Sequence, residues 1–209
     1  MLETGNNPRL FPGAPEQYTE SICLGTDGFC FTLPDGSRRI ILHSCSVSPI
    51  PLDFFTDNDA GMLHHTVFPD SDGQEVLTDT VTGLRTAITF SVPSELMERI
   101  RAEYNGIPVF SSWHTILEEM AAQPYGVIHV SFSGSGFGIA CTKDRKLLAL
   151  KQLTSPDSYR LLYTVLKIWN DASFTSAADK VVLSGIGQVS DGNFLRNLKS
   201  MLGEETVCV

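Results

Sequence analysis

Alternating apolar and polar positions divide most of this chain into short strands. The clearest run is 127–153. Val127, Ile128, Val130 and Phe132 lead into Ser133-Gly134-Ser135-Gly136, after which Phe137, Ile139 and Cys141 resume the pattern. Two β-rich runs around small residues predict a hairpin. Lys143-Asp144-Arg145 then turns the chain into a third strand at 146–153. A similar meander opens the chain, with strands at 21–25 and 29–33 around Thr26-Asp27-Gly28 and a third at 39–43 after Pro34-Asp35-Gly36. Asp-Gly pairs are strong turn formers.

Helical spacing interrupts these strands. Leu52, Phe55, Met62 and Leu63 follow Pro49 and Pro51 at irregular helical spacing, with Gly61 inside and Asp57, Asp59, Asp70 and Asp72 around them. The stretch 57–73 reads as a helix or as a surface loop. Strands at 75–81 and 85–91 flank Thr82-Gly83, and Pro93 opens a helix with Leu96, Met97, Ile100 and Tyr104 on one face. A short strand at 107–110 precedes a helix capped by Ser112, whose Trp113, Ile116, Leu117 and Met120 form its apolar stripe. In the second half, Ser155 and Pro156 begin a helix with Tyr159, Leu162, Leu166 and Trp169 facing the core. A buried strand at 180–184, a helix through Phe194, Leu195, Leu198, Met201 and Leu202, and a last strand at 205–209 complete the chain.

This order predicts an α/β fold built from two duplicated lobes, each a mixed sheet with helices on both faces, enclosing an interlobe cleft. The repeat distance between the two opening hairpins is about 105 residues, a lobe rather than a solenoid repeat. A loosely ordered arm occupies 1–20, the first lobe 21–124 and the second 125–209. The two meanders and their first crossovers are expected to superpose.

Composition narrows the function classes. The chain has 209 residues, 42% hydrophobic and 19% charged, enough to bury a core. A formal charge of −9 disfavours nucleic acid and anionic bilayers as partners. Cys23, Cys30, Cys45, Cys141 and Cys208 show no Cys-x-x-Cys spacing, which fits reduced, buried thiols in a cytoplasmic protein. No apolar signal core opens the chain and no run is long enough to span a bilayer. His64-His65 reads as an exposed loop pair, and His114 and His129 as structural histidines; Tyr159, Tyr163 and Trp169 read as packing residues. No nucleophile elbow, P-loop lysine motif or His-Glu-x-x-His pattern occurs, and Ser184 receives no nucleophilic role.

Glycine and serine at hairpin tips either simply turn the chain or let backbone N–H groups cradle an anion. The segments 24–28, 131–136 and 182–187 resemble the actin, sugar-kinase and heat-shock-chaperone superfamily, particularly its cell-division and pilus-assembly branch, along nearly the whole chain from about Ser21. The run 127–153 followed by 181–185 is similar to an uncharacterised bacterial family with an actin-like ATPase fold. The resemblance implies two phosphate turns, at Gly25, Thr26, Asp27 and Gly28 and at Ser131, Ser133, Gly134, Ser135 and Gly136, with an adenosine turn at Gly185 and Gly187.

Active members of that superfamily begin each phosphate hairpin with an aspartate that holds hydrated Mg²⁺ or positions the attacking group. Here those positions fall on Ser131 and on Cys23 or Leu24. A serine cannot supply the negative charge that holds a hard cation. The expectation is a non-catalytic protein-interaction or scaffold module with a degenerate nucleotide cleft, no catalytic or metal-binding residue, no cofactor, and a protein as partner. The alternative is an ATP-binding protein or weak ATPase that uses ATP with magnesium through a metal site rearranged onto Asp27 or Asp35. At least two of Phe54, Phe55, Met62, Val67 and Phe68 are expected to remain exposed as a partner surface.

Overall fold

The computed structural model describes residues 13–25, 28–71, 73–133, 136–154, 158–184 and 192–208. Two compact units divide the chain, Met1–Ile116 and Leu117–Val209.

The first unit holds two sheets. Strands β1 (Glu20–Gly25), β2 (Gly28–Thr32) and β3 (Arg38–Leu42) form the expected antiparallel meander. Strand β4 (Val47–Pro51) follows, then helix α1 (Ala60–Val67), β5 (Gln74–Val81), β6 (Thr86–Pro93), helix α2 (Ser94–Glu103), β7 (Val109–Ser111) and helix α3 (Ser112–Ala122). Strand β7 joins the meander parallel to β3, giving the order β1-β2-β3-β7, while β4, β6 and β5 form a separate antiparallel sheet in that order. The segment before β1 packs on the first sheet: Ala14 and Tyr18 lie against Phe29, Phe31 and Ile41, with the Tyr18 and Phe31 rings 5.1 Å apart.

Several local expectations change. The prolines that suggested an approach to a helix lie inside β4, which pairs with β6 and, among the described residues, with no second strand. An edge strand tolerates proline because its outer N–H groups need no ladder partner. The stretch 57–73 contains α1, and His64 is fully buried on that helix with Nδ1 3.0 Å from Thr89 Oγ1, so His64-His65 is not an exposed loop pair. Its position on the inward face of α1, beside buried Ala60, overrides the polarity of the ring. Helix α3 begins at Ser112, but Ser111 Oγ accepts the Trp113 N–H at 3.1 Å and serves as the cap.

Among the described residues, the second unit holds the end of α3, one sheet and two further helices. Strands β8 (Val127–Ser133), β9 (Gly136–Lys143) and β10 (Lys146–Thr154) form the predicted meander. Asp144 and Arg145 both have positive φ at the β9–β10 turn, the geometry that matches strand twist in a two-residue hairpin. Helix α4 (Ser158–Asp171), β11 (Lys180–Ser184), helix α5 (Gly192–Leu202) and β12 (Val207–Cys208) follow, and the sheet order is β10-β9-β8-β11-β12. Strands β11 and β12 run parallel to β8. Ile128, Val130, Phe132, Ile139, Val181 and Leu183 face a core completed by Leu161, Val165 and Trp169 of α4 and Phe194 and Leu198 of α5. Each such buried side chain contributes about 1.5–3 kcal/mol relative to exposure.

The expected superposition fails at the crossover. Strand β11 enters beside the first strand of its meander, whereas β7 enters beside the third strand of the other. The inserted β4–β6 sheet, with α1 and α2 against it, separates β3 from β7 and changes that connection.

Two further expectations, on the tyrosines of α4 and on the cysteines, are corrected, and a third, on the exposed apolar side chains, is met. Leu161, Leu162, Val165, Ile168 and Trp169 form the buried stripe of α4, which leaves Tyr159 and Tyr163, four residues apart, together on its exposed flank. We expect Tyr163→Ala to change stability by no more than about 0.5 kcal/mol in a denaturant titration. Cys30 and Cys141 are buried, but Cys23, Cys45 and Cys208 are exposed; Cys23 and Cys208 sit on edge strands and Cys45 in a bend. Among Phe54, Phe55, Met62, Val67 and Phe68, three are strongly exposed: Phe54 at 79%, Met62 at 64% and Val67 at 56%.

Candidate functional site

The carboxyl ends of neighbouring parallel strands are where open α/β sheets usually present ligand-binding loops, above all where strand order reverses. Strands β8 and β11 provide such a point. From β8 the chain builds outward through β9 and β10, then returns to the other side of β8 with β11. Ser131 is in register with Ser184 on β11 and with Gly138 on β9. The register therefore sets Ser131 beside Ser184, the described residues that precede the predicted glycine segments 133–136 and 185–187 in the chain.

Ser131 is buried, Ser133 closes β8 opposite Gly136, and Gly136 opens β9 as a buried residue. Gly134, Ser135, Gly185 and Gly187 lie outside the described residues. His129 shares the face of Ser131, two residues back along the strand. Its Nε2 lies 2.9 Å from Ser184 Oγ. Burial pushes the His129 pKa down to about 4, so at neutral pH the ring is uncharged. The pair keeps the structural role expected of His129 and adds Ser184, which the sequence left without one.

No residue of β8, β9 or β11 carries a carboxylate. The described polar side chains at this end are two serine hydroxyls and a neutral imidazole, a poor donor set for a hard divalent cation. These residues do not fit Mg²⁺. Among the described residues, no three His, Cys, Asp or Glu side chains gather in a metal-holding group.

The remaining turn belongs to the first unit. Gly25 ends β1 and pairs with Gly28. A Cβ on Gly28 would lie 2.4 Å from Leu42 Cδ2 and 3.2 Å from the Ile41 carbonyl oxygen, so close strand packing accounts for this glycine. Thr26 and Asp27 lie outside the described residues. Arg99 of α2 donates a hydrogen bond to the Leu24 carbonyl beside this turn, a cationic feature that helical periodicity gave no means of seeing. Asp35 lies beyond the opposite end of β2, where its Oδ1 accepts the Ser37 hydroxyl at 2.7 Å and the Ser37 N–H at 2.9 Å. The hydroxyl, more than the N–H, lowers its pKa. This is ordinary turn chemistry.

Lys143, Arg145 and Lys146 lie at the end of the β9–β10 hairpin away from the glycine tip. Lys143 and Lys146 pair at the far end of β9, and Lys143 Nζ donates to the Ala172 and Ser173 carbonyls at 3.0 and 2.9 Å. A lysine there closes the carboxyl end of α4, where the helix dipole favours positive charge. Buried Cys141 has its thiol pKa pushed up to about 12, chiefly by burial, which removes it as a nucleophile.

The most perturbed acid in the first unit is Asp79 on β5. It is 6% exposed, its carboxylate accepts the Ser111 N–H, and burial pushes its pKa up to about 7. The sequence signal for it was parity: Asp79 shares a strand face with buried Val81. The next residue in the chain after its Ser111 partner belongs to a separate, structural pair. Ser112 Oγ, 3.2 Å from His43 Nδ1, is 1% exposed, too enclosed for a substrate to reach.

Among solved structures, the chain is similar to a crystallised protein of Bacteroides thetaiotaomicron VPI-5482 described as having an actin-like ATPase fold and unknown function. The match has a TM-score of 0.75 and 18% identity, covering 92% of this chain and 90% of that one. At that identity the likeness shows the fold, which is actin-like. No curated protein matches the sequence. Among the described residues, no helix is long and apolar enough to cross a membrane. A family model spanning residues 36–200 matches the sequence, and the chain belongs to the family described as protein of unknown function (DUF3822).

Proposed function

We propose that this protein is a non-catalytic protein-interaction module on an actin-like fold, with a nucleotide cleft that has lost the acids needed to manage a metal. One observation carries the reading. At the end of β8, where the superfamily pattern calls for an aspartate, stands buried Ser131, in register with Ser184 and beside neutral His129. Phosphoryl transfer depends on a metal that neutralises developing charge and on an anchored nucleophile. Two hydroxyls and an uncharged ring supply neither.

The −9 charge supports a protein partner over nucleic acid or an anionic bilayer. Five cysteines without paired spacing support a cytoplasmic setting.

Purified protein is expected to release no phosphate from ATP above background, with or without Mg²⁺. Its melting temperature is expected to shift by less than a degree with Mg-ATP, because a ligand stabilises only the state it binds. Mg-dependent turnover that disappears in Gly134→Asp would overturn this proposal. A weak ATP-binding protein is the second reading, and the Arg99 contact beside the first glycine turn favours it. In that case ATP alone raises the melting temperature, and Arg99→Ala abolishes the rise.

A further inference from the structure

Between Arg39 and Arg85 the chain contains no lysine or arginine, yet it holds Asp53, Asp57, Asp59, Asp70, Asp72, Glu75 and Asp79. Four of these acids are already engaged, Asp59 by the Thr56 hydroxyl at 2.5 Å and the others by residues beyond the arc. Asp53 pairs with Arg85 at 2.7 Å, Glu75 pairs with Arg101, and Asp79 is buried against Ser111. Asp57, Asp59 and Asp70 are exposed. The same short arc carries Phe54, Met62 and Val67, exposed at 79%, 64% and 56%.

The frame beneath this arc is fixed. Ala60 and His64 bury the inner face of α1, His64 Nδ1 lies 3.0 Å from Thr89 Oγ1, and His65 Nδ1 lies 2.7 Å from Ser71 Oγ. Burial lowers the His64 pKa, so that ring does not offset the acids at neutral pH. Met62 and Val67 are thus presented by a helix already held in place, which lowers the ordering cost of binding there.

We propose that the arc from Phe54 to Asp70 docks a cationic amphipathic segment of another protein, with apolar residues against Phe54, Met62 and Val67 and lysines or arginines against Asp57, Asp59 and Asp70. This rests on the interaction-module reading and names the partner's chemistry. Lysine and arginine can lay their aliphatic stems on apolar surface while their heads meet carboxylates, and methionine adapts to such partners. A second copy of this chain would bring the same acids face to face. Nucleic acid and anionic lipid carry the same sign of charge as the acids they would have to meet.

The test is fluorescence anisotropy with the full chain and two synthetic amphipathic helices, one with a lysine polar face and one with glutamate in its place. The lysine peptide is expected to bind, to weaken as salt is raised, and to lose at least about tenfold in affinity to Phe54→Ser/Met62→Ser and, separately, to Asp57→Lys/Asp70→Lys. Glu118→Lys, an exposed acid on α3, should leave affinity unchanged. All four substituted positions in the double variants are exposed, and circular dichroism checks that each variant folds.

Equal binding of the two peptides, or unchanged affinity in both double variants, overturns the proposal. So does self-association in sedimentation that Phe54→Ser/Met62→Ser abolishes. Phosphate release is measured on the same samples. Absence of lysine-peptide binding by the unsubstituted chain, without ATP turnover, defeats only the docking inference, whereas Mg-dependent turnover defeats the non-catalytic reading.

Discussion

Asp79→Asn is expected to stabilise the first unit at pH 8, by up to about 4 kcal/mol, and to have little effect near pH 4. The carboxyl group is 6% exposed and its pKa is raised from 3.8 to about 7, mainly by burial, with the Ser111 N–H opposing the rise. A raised acid binds its proton more tightly in the folded chain than in the unfolded one. Folding stability then falls as pH rises from 3.8 to about 7 and levels above it. At roughly 1.36 kcal/mol per pH unit across that window, the ceiling is about 4 kcal/mol. Asparagine keeps an oxygen for the Ser111 N–H and has no charge to bury. Trp113 lies in the first unit and Trp169 in the second, so single-tryptophan variants follow each separately. A pH profile of the Trp113 transition identical in wild type and Asp79→Asn would sink this prediction.

The second unit should respond in the opposite direction. His129 has its pKa lowered from 6.5 to about 4 by burial. The folded state therefore holds fewer protons than the unfolded state between those values, and stability present above pH 6.5 is lost as pH falls towards 4. The full loss is about 3 kcal/mol by the same conversion. His129→Gln retains a partner for the Ser184 hydroxyl but no group that titrates in this range. Its Trp169 transition should be lower than wild type at pH 7, because the ring's packing is lost, and should decline far less by pH 4.5. Equal acid sensitivity in the two proteins would assign the decline to other groups.

Legibility in the sequence followed the reach of the interactions. The β8–β9–β10 meander was readable because alternation and a tight turn are local signals, and the apolar stripe of α3 because Trp113, Ile116, Leu117 and Met120 repeat at helical spacing. Strand β4 was not, since Pro49 and Pro51 argue against a strand unless one knows that it lies at an edge. The flank occupied by Tyr159 and Tyr163 was misread because both fit an amphipathic stripe that aliphatic Leu161 and Val165 fill instead. At the candidate site the glycine-rich segments and the serine at 131 were visible as positions in the sequence. The Ser131–Ser184 register, the His129–Ser184 pair and the Arg99 contact were not, because each joins residues far apart in the chain.

The late arrival of β7 in the first sheet also bears on how the chain is made. Strand β3 cannot gain its parallel partner until Val109–Ser111 has been synthesised, after the whole β4–β6 insertion. The β5–β6 hairpin and α2 are close in sequence and can form first, shortening the loop that β3 and β7 must close. A nascent chain stalled before Val109 would present the open edge of β3, with Ile40 and Leu42 along it, to whatever strand is nearby. Emergence of β7 from the ribosome would then be the step that ends the risk of aggregation at that edge.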